Sequence, residues 1–176
     1  MYYAAIKSYD IANGPGVRVS LFVSGCTHHC PGCFNKETWD FAFGQPFTDA
    51  VAADLLEKLS SGYITGLTLL GGEPMEPENQ RALLPFVSAV RERYPEKSIW
   101  CYSGYTYEKD LLSSDGRAHC EVTDRLLSLI DVLVDGRYIE ALHNITLLFR
   151  GSSNQRLIDL RRTEQSGTVV LWEKQI

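Results

Sequence analysis

A chain of 176 residues with 44% hydrophobic and 22% charged side chains is sized for one domain with a core able to fold alone, and it falls short of a complete eight-fold βα barrel. Its net charge of −5 argues against a general nucleic-acid or membrane-surface binder and favours protein or small-molecule partners. The apolar runs are far shorter than a membrane span, and the start lacks the basic-then-apolar order of an export signal, so a cytoplasmic protein is expected.

The first clear element is Val17 to Val23 (VRVSLFV), apolar and rich in β-branched residues, which reads as a strand ending at Ser24-Gly25. Thr48 is placed to cap a helix running to about Leu59, because Val51, Leu55, Leu56 and Leu59 recur at helical spacing before Ser61-Gly62. A second strand, Gly66 to Leu70, runs into Gly71-Gly72-Glu73-Pro74. Pro77 then opens a helix with Leu83, Leu84, Val87 and Val90 on its apolar face, closed by Tyr94-Pro95. Ser98 to Tyr102 is a third strand leading into Ser103-Gly104-Tyr105. A short helix follows at about Thr123 to Ile130, and Val132 to Val134 is a fourth strand ending at Asp135-Gly136-Arg137. Arg156 to Leu160 and Thr168 to Trp172 read as a C-terminal hairpin turning through Gly167.

Repetition of strand, loop and helix is the pattern of parallel strands joined by crossovers. The fold class expected is therefore α/β, as a partial, open βα barrel. A single domain spans 1–176, with a core of about 10–156 and a C-terminal extension over 157–176. Parallel sheets bind ligands at the carboxyl ends of their strands, so the four loops that follow the strands should share one face.

Chemistry concentrates in the first of those loops. Cys26, Cys30 and Cys33 form a Cys-x3-Cys-x2-Cys run inside SGCTHHCPGCFN. Three thiolates from eight consecutive residues suit a compact four-iron cluster, and with no second CxxC pair one iron is left without a protein ligand, an open position for chemistry. A zinc site completed by His28, His29 or His119 is the alternative; otherwise His28 and His29 read as solvent-exposed loop polars. Cys101 in SIWCY reads as a packed core thiol and Cys120 as a peripheral one, which fits buried thiols and metal ligands better than a disulfide framework. Gly71 and Gly72 let backbone carbonyls approach a ligand's ammonium group, Glu73 adds a carboxylate acceptor and Pro74 fixes the turn; a plain strand-to-helix turn competes with that reading.

Taken in order, NGPGVR (Asn13 to Arg18), SGC, CPGCFNKETW, GQPF, LLGGEP, VLVDGRY and FRGSSNQ resemble the radical S-adenosylmethionine enzymes, specifically the glycyl-radical-enzyme activases, nearly collinearly from about Asp10 to Arg156. The resemblance implies a [4Fe-4S] cluster whose metal ligands, and catalytic centre, are Cys26, Cys30 and Cys33. It implies S-adenosyl-L-methionine as the second cofactor, its amino and carboxylate groups on the fourth iron and its methionine amine at Gly71 to Pro74. Gly32 and Phe34 flank the third cysteine, and Phe34 would pack near the adenine, with the core as its competing place. Asn35 is placed to fix the loop by side-chain hydrogen bonds to backbone. Asp135 and Arg137 resemble an Asp-x-basic element beside the cofactor carboxylate, against a surface ion pair. Ser103 and Tyr105 would line the site.

The activity implied is reductive cleavage of S-adenosylmethionine to a 5′-deoxyadenosyl radical that abstracts hydrogen from a glycine. The partner implied is the anaerobic ribonucleoside-triphosphate reductase, a glycyl radical protein, with a low-potential donor such as flavodoxin and with NGPGVR and RGSSNQ as candidate contact segments or plain tight turns. Pyruvate formate-lyase is the neighbouring alternative target, and a small-molecule radical enzyme is a third reading. A non-catalytic iron-sulfur electron carrier is the reading from a different class. No nucleic acid or membrane partner is expected.

Overall fold

In this computed structural model residues 1–173 are described, and they build one mixed sheet of seven strands. These are β1 (Tyr2–Asp10), β2 (Val17–Val23), β3 (Gln45–Pro46), β4 (Ile64–Gly71), β5 (Ser98–Tyr102), β6 (Val132–Asp135) and β7 (Arg156–Asp159), in the order β3-β1-β2-β4-β5-β6-β7. The central strands β2, β4, β5 and β6 run parallel. The flanking strands β1, β3 and β7 are antiparallel to their neighbours, so the sheet is open and not a closed barrel. Crossovers between the parallel strands carry α1 (Asp49–Leu59), α2 (Pro77–Arg93) and α3 (Thr123–Leu127), and α4 (Leu160–Ser166) follows β7. No helix among the described residues is long and apolar enough to cross a membrane.

Side chains alternate along each strand, and here the two faces differ in chemistry. Val19, Leu21, Val23, Leu67, Leu69, Ile99, Cys101 and Leu133 share one core with Leu55 and Leu59 of α1, with Leu83, Phe86, Val87 and Val90 of α2 and with Leu126 of α3. Each such side chain fully buried contributes about 1.5–3 kcal/mol relative to exposure. The other face carries Arg18, Ser20, Thr68 and Trp100, with Trp100 packed among Val132, Val134 and Leu157. Helices cover the first face, which leaves the second to form a cavity.

Arg18 departs from what NGPGVR suggested. It is fully buried, not a surface contact, and its guanidinium donates to Thr68 Oγ1 at 2.7 Å, Ser98 Oγ at 2.8 Å, Leu67 O at 2.7 Å and Ser98 O at 2.9 Å. The side chain thus ties β2 to β4 and β5 across the polar face. Burial lowers its pKa to about 10, so it remains charged at neutral pH.

The four predicted strands and the three predicted helices form, with ends shifted by at most three residues. Two strands were missed and the C-terminal pair changes form. β1 alternates half-buried and exposed residues with polar groups among them, a weak signal that becomes a strand only through its ladder with β2. β3 is two residues long, below any periodic signal. The C-terminal pair is not a simple hairpin. Asp159 accepts from Arg162 N at 2.9 Å and Gly167 closes at φ 70°, a cap and a stop that make helix α4 of the predicted turn. β7 therefore pairs with β6, and the chain returns along its far edge, where Asp159 N donates to Val170 O at 2.9 Å and Trp172 N to Leu157 O at 2.8 Å. The predicted extension's last residues, 174–176, lie outside the described residues.

Candidate active site

The cysteine segment is an excursion closed at its base. Gly25 N donates to Thr38 O at 2.8 Å and Cys26 N to Trp39 O at 3.3 Å, so residues 26–38 are held as one loop at the end of β2. Within it Cys33 N donates to Cys30 O at 3.1 Å, and Thr38 Oγ1 to Asn35 O at 2.7 Å. Asn35 enters this turn through its main-chain carbonyl and not through the side-chain hydrogen bonds expected from sequence.

The loop after β4 docks directly on it. Gly72 N donates to Val23 O at 2.7 Å and Glu73 N to Gly25 O at 2.8 Å, prolonging the β2–β4 ladder. A Cβ on Gly72 would lie 2.7 Å from Gly25 O and 2.9 Å from Thr38 O, both backbone atoms of the cysteine loop. Gly71 stands at φ 111°, a conformation open to glycine. We therefore expect Gly72→Ala to force the two loops apart, lowering the thermal midpoint by several degrees and the iron bound on reconstitution; a variant matching the parent in both would remove the packing argument.

Glu73 is 1% exposed, and the protein uses both its oxygens. Oε1 accepts from Met75 N at 2.8 Å; Oε2 accepts from Gly104 N at 2.7 Å and lies 2.9 Å from His28 Nε2. Rather than offering a free acceptor to a ligand, as the sequence suggested, it joins three strand-end loops. Its neighbour Glu76 accepts from Thr27 N and Oγ1 at 2.8 and 2.7 Å, a second tie to the cysteine loop.

The strand-end loops wall a cavity of about 370 Å³. Cys26, Cys30 and Cys33 line it together with Phe34, and opposite them stand Gly71, Gly72, Glu73 and Ser103. Phe34 is 88% exposed, at the mouth rather than in the core. Ser103 is buried, and its Oγ accepts from Tyr105 N at 3.0 Å; Tyr105 is buried behind it. Pro74 is buried and Gly32 exposed at φ 73°, neither of them in the cavity wall.

Asp135 also turns away from this cavity. It is 1% exposed and takes a fork from Arg156, Nε to Oδ1 at 2.9 Å and Nη2 to Oδ2 at 2.5 Å, as well as Tyr107 N at 2.9 Å. This is a buried clamp of β6 to β7 and not the surface ion pair considered from sequence. Arg137 lines an adjoining cavity of about 390 Å³ and donates to the His28 carbonyl.

Part of the wall comes from FRGSSNQ and the residues before it. Leu147, Phe149, Arg150 and Gly151 cover one side, with Phe149 at φ 55° and its ring 5.4 Å from that of Trp100. Arg150 and Gly151 belong to RGSSNQ, where Gln155 Oε1 accepts from Gly151 N at 2.9 Å and Gln155 Nε2 donates to Gly136 O at 3.0 Å. That stretch is therefore a tight turn as well as cavity wall. No local pattern marks Leu147, and FRGSSNQ does not by itself assign Phe149 to the wall; the fold brings both there.

His28 corrects the sequence reading most sharply. Expected to be exposed, it is 7% exposed and faces Glu73, while His29 is exposed and stacks on Trp39 at 4.5 Å. His119 Nδ1 lies 2.7 Å from Leu111 O. Each of the three histidines that could complete a zinc site thus has another neighbour.

All five cysteines are free thiols. Cys101 is fully buried in the helix-covered core and Cys120 is half-buried beside Gln80, as their neighbourhoods in sequence suggested. Burial, aided by the carboxylates of Glu73 and Glu76, pushes the Cys26 thiol up to about 12, so a metal binding there must displace a proton. Among the described residues no three metal-binding side chains are gathered at single-ion distances. A four-iron cube has breadth of its own and spans thiols set farther apart, and a donor set of three thiols on one cavity wall suits it.

An open α/β sheet with three thiols at the carboxyl ends of its strands defines a cluster-binding domain. The family model of the 4Fe-4S single cluster domain matches residues 12–158. A protein of Enterobacteria phage T4 named anaerobic ribonucleoside-triphosphate reductase-activating protein is 43% identical over 157 residues, covering 89% of this chain and 93% of its own. The proteins of the same name from Escherichia coli (strain K12) and Pasteurella multocida (strain Pm70) are each 42% identical, over 92% and 88% of this chain and 100% and 95% of their own. The chain belongs to this family of activating proteins.

Proposed function

We propose that the chain is a radical S-adenosylmethionine activase, built on a partial barrel of that superfamily's type, that generates the glycyl radical of an anaerobic ribonucleoside-triphosphate reductase. The observation that carries the reading is the cavity itself, lined by three free thiols, with no fourth among the described residues, and by the side-chain-free turn at Gly71 and Gly72. A [4Fe-4S] cluster on Cys26, Cys30 and Cys33 would supply the low-potential electron that splits S-adenosylmethionine into methionine and a 5′-deoxyadenosyl radical, the species that takes hydrogen from a glycine of the reductase.

The chain's own residues provide the rest. Burial of Cys26 and Cys30 keeps water from the metal side of the cavity. Gly71 and Gly72 present bare backbone to a ligand's ammonium group, and Phe34 at the mouth offers a flat apolar face to a base. Asp135 serves the site indirectly, fixing β7 against β6 so that Gly136 stands at the cavity wall. The open sheet leaves an approach for a protein loop carrying the target glycine. The names of the relatives support the reductase as partner; a low-potential donor such as flavodoxin and the cytoplasm as place of action complete the proposal.

The test is anaerobic. Reconstituted protein, dithionite, S-adenosylmethionine and purified reductase should yield 5′-deoxyadenosine and a glycyl-radical doublet in the reductase by electron paramagnetic resonance. No 5′-deoxyadenosine, with or without the reductase, would leave an electron carrier. A doublet arising only in pyruvate formate-lyase would reassign the target.

A further inference from the structure

We propose that His28 is a positioning residue that registers the cysteine loop against the Gly71-Gly72-Glu73 turn, and thereby sets how tightly the site takes S-adenosylmethionine. The inference rests on the function proposed above and adds to it a residue outside the cluster ligands and the cofactor turn.

His28 is the point at which all four strand-end loops meet. It belongs to the cysteine loop, and its Nε2 lies 2.9 Å from Oε2 of Glu73 in the loop after β4. The same oxygen accepts from Gly104 N at 2.7 Å in the loop after β5, and the Tyr105 ring packs on the imidazole at 4.3 Å between centroids. From the loop after β6, Arg137 donates to the His28 carbonyl. A carboxylate only accepts, so Nε2 is the nitrogen that carries hydrogen. A Cβ on Gly104 would lie 2.6 Å from the imidazole, so the neighbouring loop is cut back to admit the ring.

Packing alone does not account for a histidine here. Its Nδ1 is buried with no partner among the described residues, an unfavourable arrangement that an apolar side chain would avoid. What the imidazole provides, and a leucine or methionine cannot, is the Nε2 link to Glu73. That link runs sideways between the loop bearing the thiols and the loop bearing the glycine turn, the two halves of the site whose separation decides whether one ligand can touch both. Rigid support of this kind is what outer partners supply at metal centres.

Three variants test the proposal by measurements other than turnover. Reconstituted His28→Ala should hold the parent's iron and sulfide but bind S-adenosylmethionine about tenfold more weakly, within the range seen when outer partners are removed. The change in the reduced cluster's paramagnetic spectrum on adding S-adenosylmethionine should shrink in parallel. His28→Gln, which can still donate to Glu73, should regain most of the affinity, whereas His28→Met, which fills the space without donating, should not. Affinity within twofold of the parent in both Ala and Met variants, or Gln no better than Met, would overturn the proposal. Should His28→Ala fail to load iron, the comparison of Gln with Met decides alone. Failure of the parent itself to bind S-adenosylmethionine is a different result, which removes the proposed function.

Discussion

Replacing Cys30 by Ala should reduce 5′-deoxyadenosine formation by more than ~100-fold, beyond the range that changes to outer partners produce at metal centres. Replacing Cys26 or Cys33 should do the same. The three thiols occupy one wall of one cavity and come from one loop closed at its base by the Gly25 and Cys26 amides, so no neighbouring thiol stands ready to substitute. Cys101 is the internal control. It lies on the opposite, helix-covered face of the sheet, fully buried, with its thiol pushed well above the usual range by that burial. Cys101→Ala should therefore retain the product and lose only about 1 kcal/mol of stability from the small cavity left behind. Iron and sulfide analysis with product chromatography checks both arms. Full activity after loss of Cys30, or none after loss of Cys101, would mean that the wrong sulfurs have been assigned.

The second large effect is on stability. Arg18→Ala should cost several kcal/mol, since buried acceptors left without a donor cost about 1–3 kcal/mol each, read as a fall in the urea midpoint. The guanidinium makes four hydrogen bonds of 2.9 Å or less to β4 and β5, and truncation leaves the Leu67 and Ser98 carbonyls facing a void. Arg18→Lys should fall between, because one ammonium cannot reach as a planar fork does. An unchanged midpoint for Arg18→Ala would show that water takes over these acceptors at no cost. Because Arg18 and Ser98 stand at the starts of β2 and β5, away from the carboxyl end of β2 that carries the thiols, what stable protein remains should still load iron.

The central strands and the first three helices were legible because their signals are local: β-branched runs, apolar positions at helical spacing, Thr48 and Pro77 at the starts. The cysteine loop was legible for the same reason, since its donors lie within eight residues. What escaped notice depends on partners distant in the chain. His28 is buried by Glu73, 45 positions away, and Arg18 by Thr68 and Ser98, 50 and 80 positions away. Nothing within either local window marks these polar side chains as interior. Glu73 was noticed as a carboxylate near the site, but its use as a tie between loops appears only when Gly104 and His28 are brought to it. Leu147 gave no signal, being an ordinary apolar residue of a loop that the fold lays across the cavity, and FRGSSNQ marked Phe149 without showing its place in the wall.

A sheet that stops short of closing keeps two outer rims, and unpaired rims invite neighbouring chains to add strands and grow into aggregates. One rim is β3, only two residues long and ending in Pro46, which gives an incoming chain little backbone to grip. The other is β7, where the returning segment through Val170 and Trp172 occupies backbone groups that would otherwise be on offer. The C-terminal return thus takes up hydrogen-bonding groups on that rim and removes part of a template on which fibrils could grow.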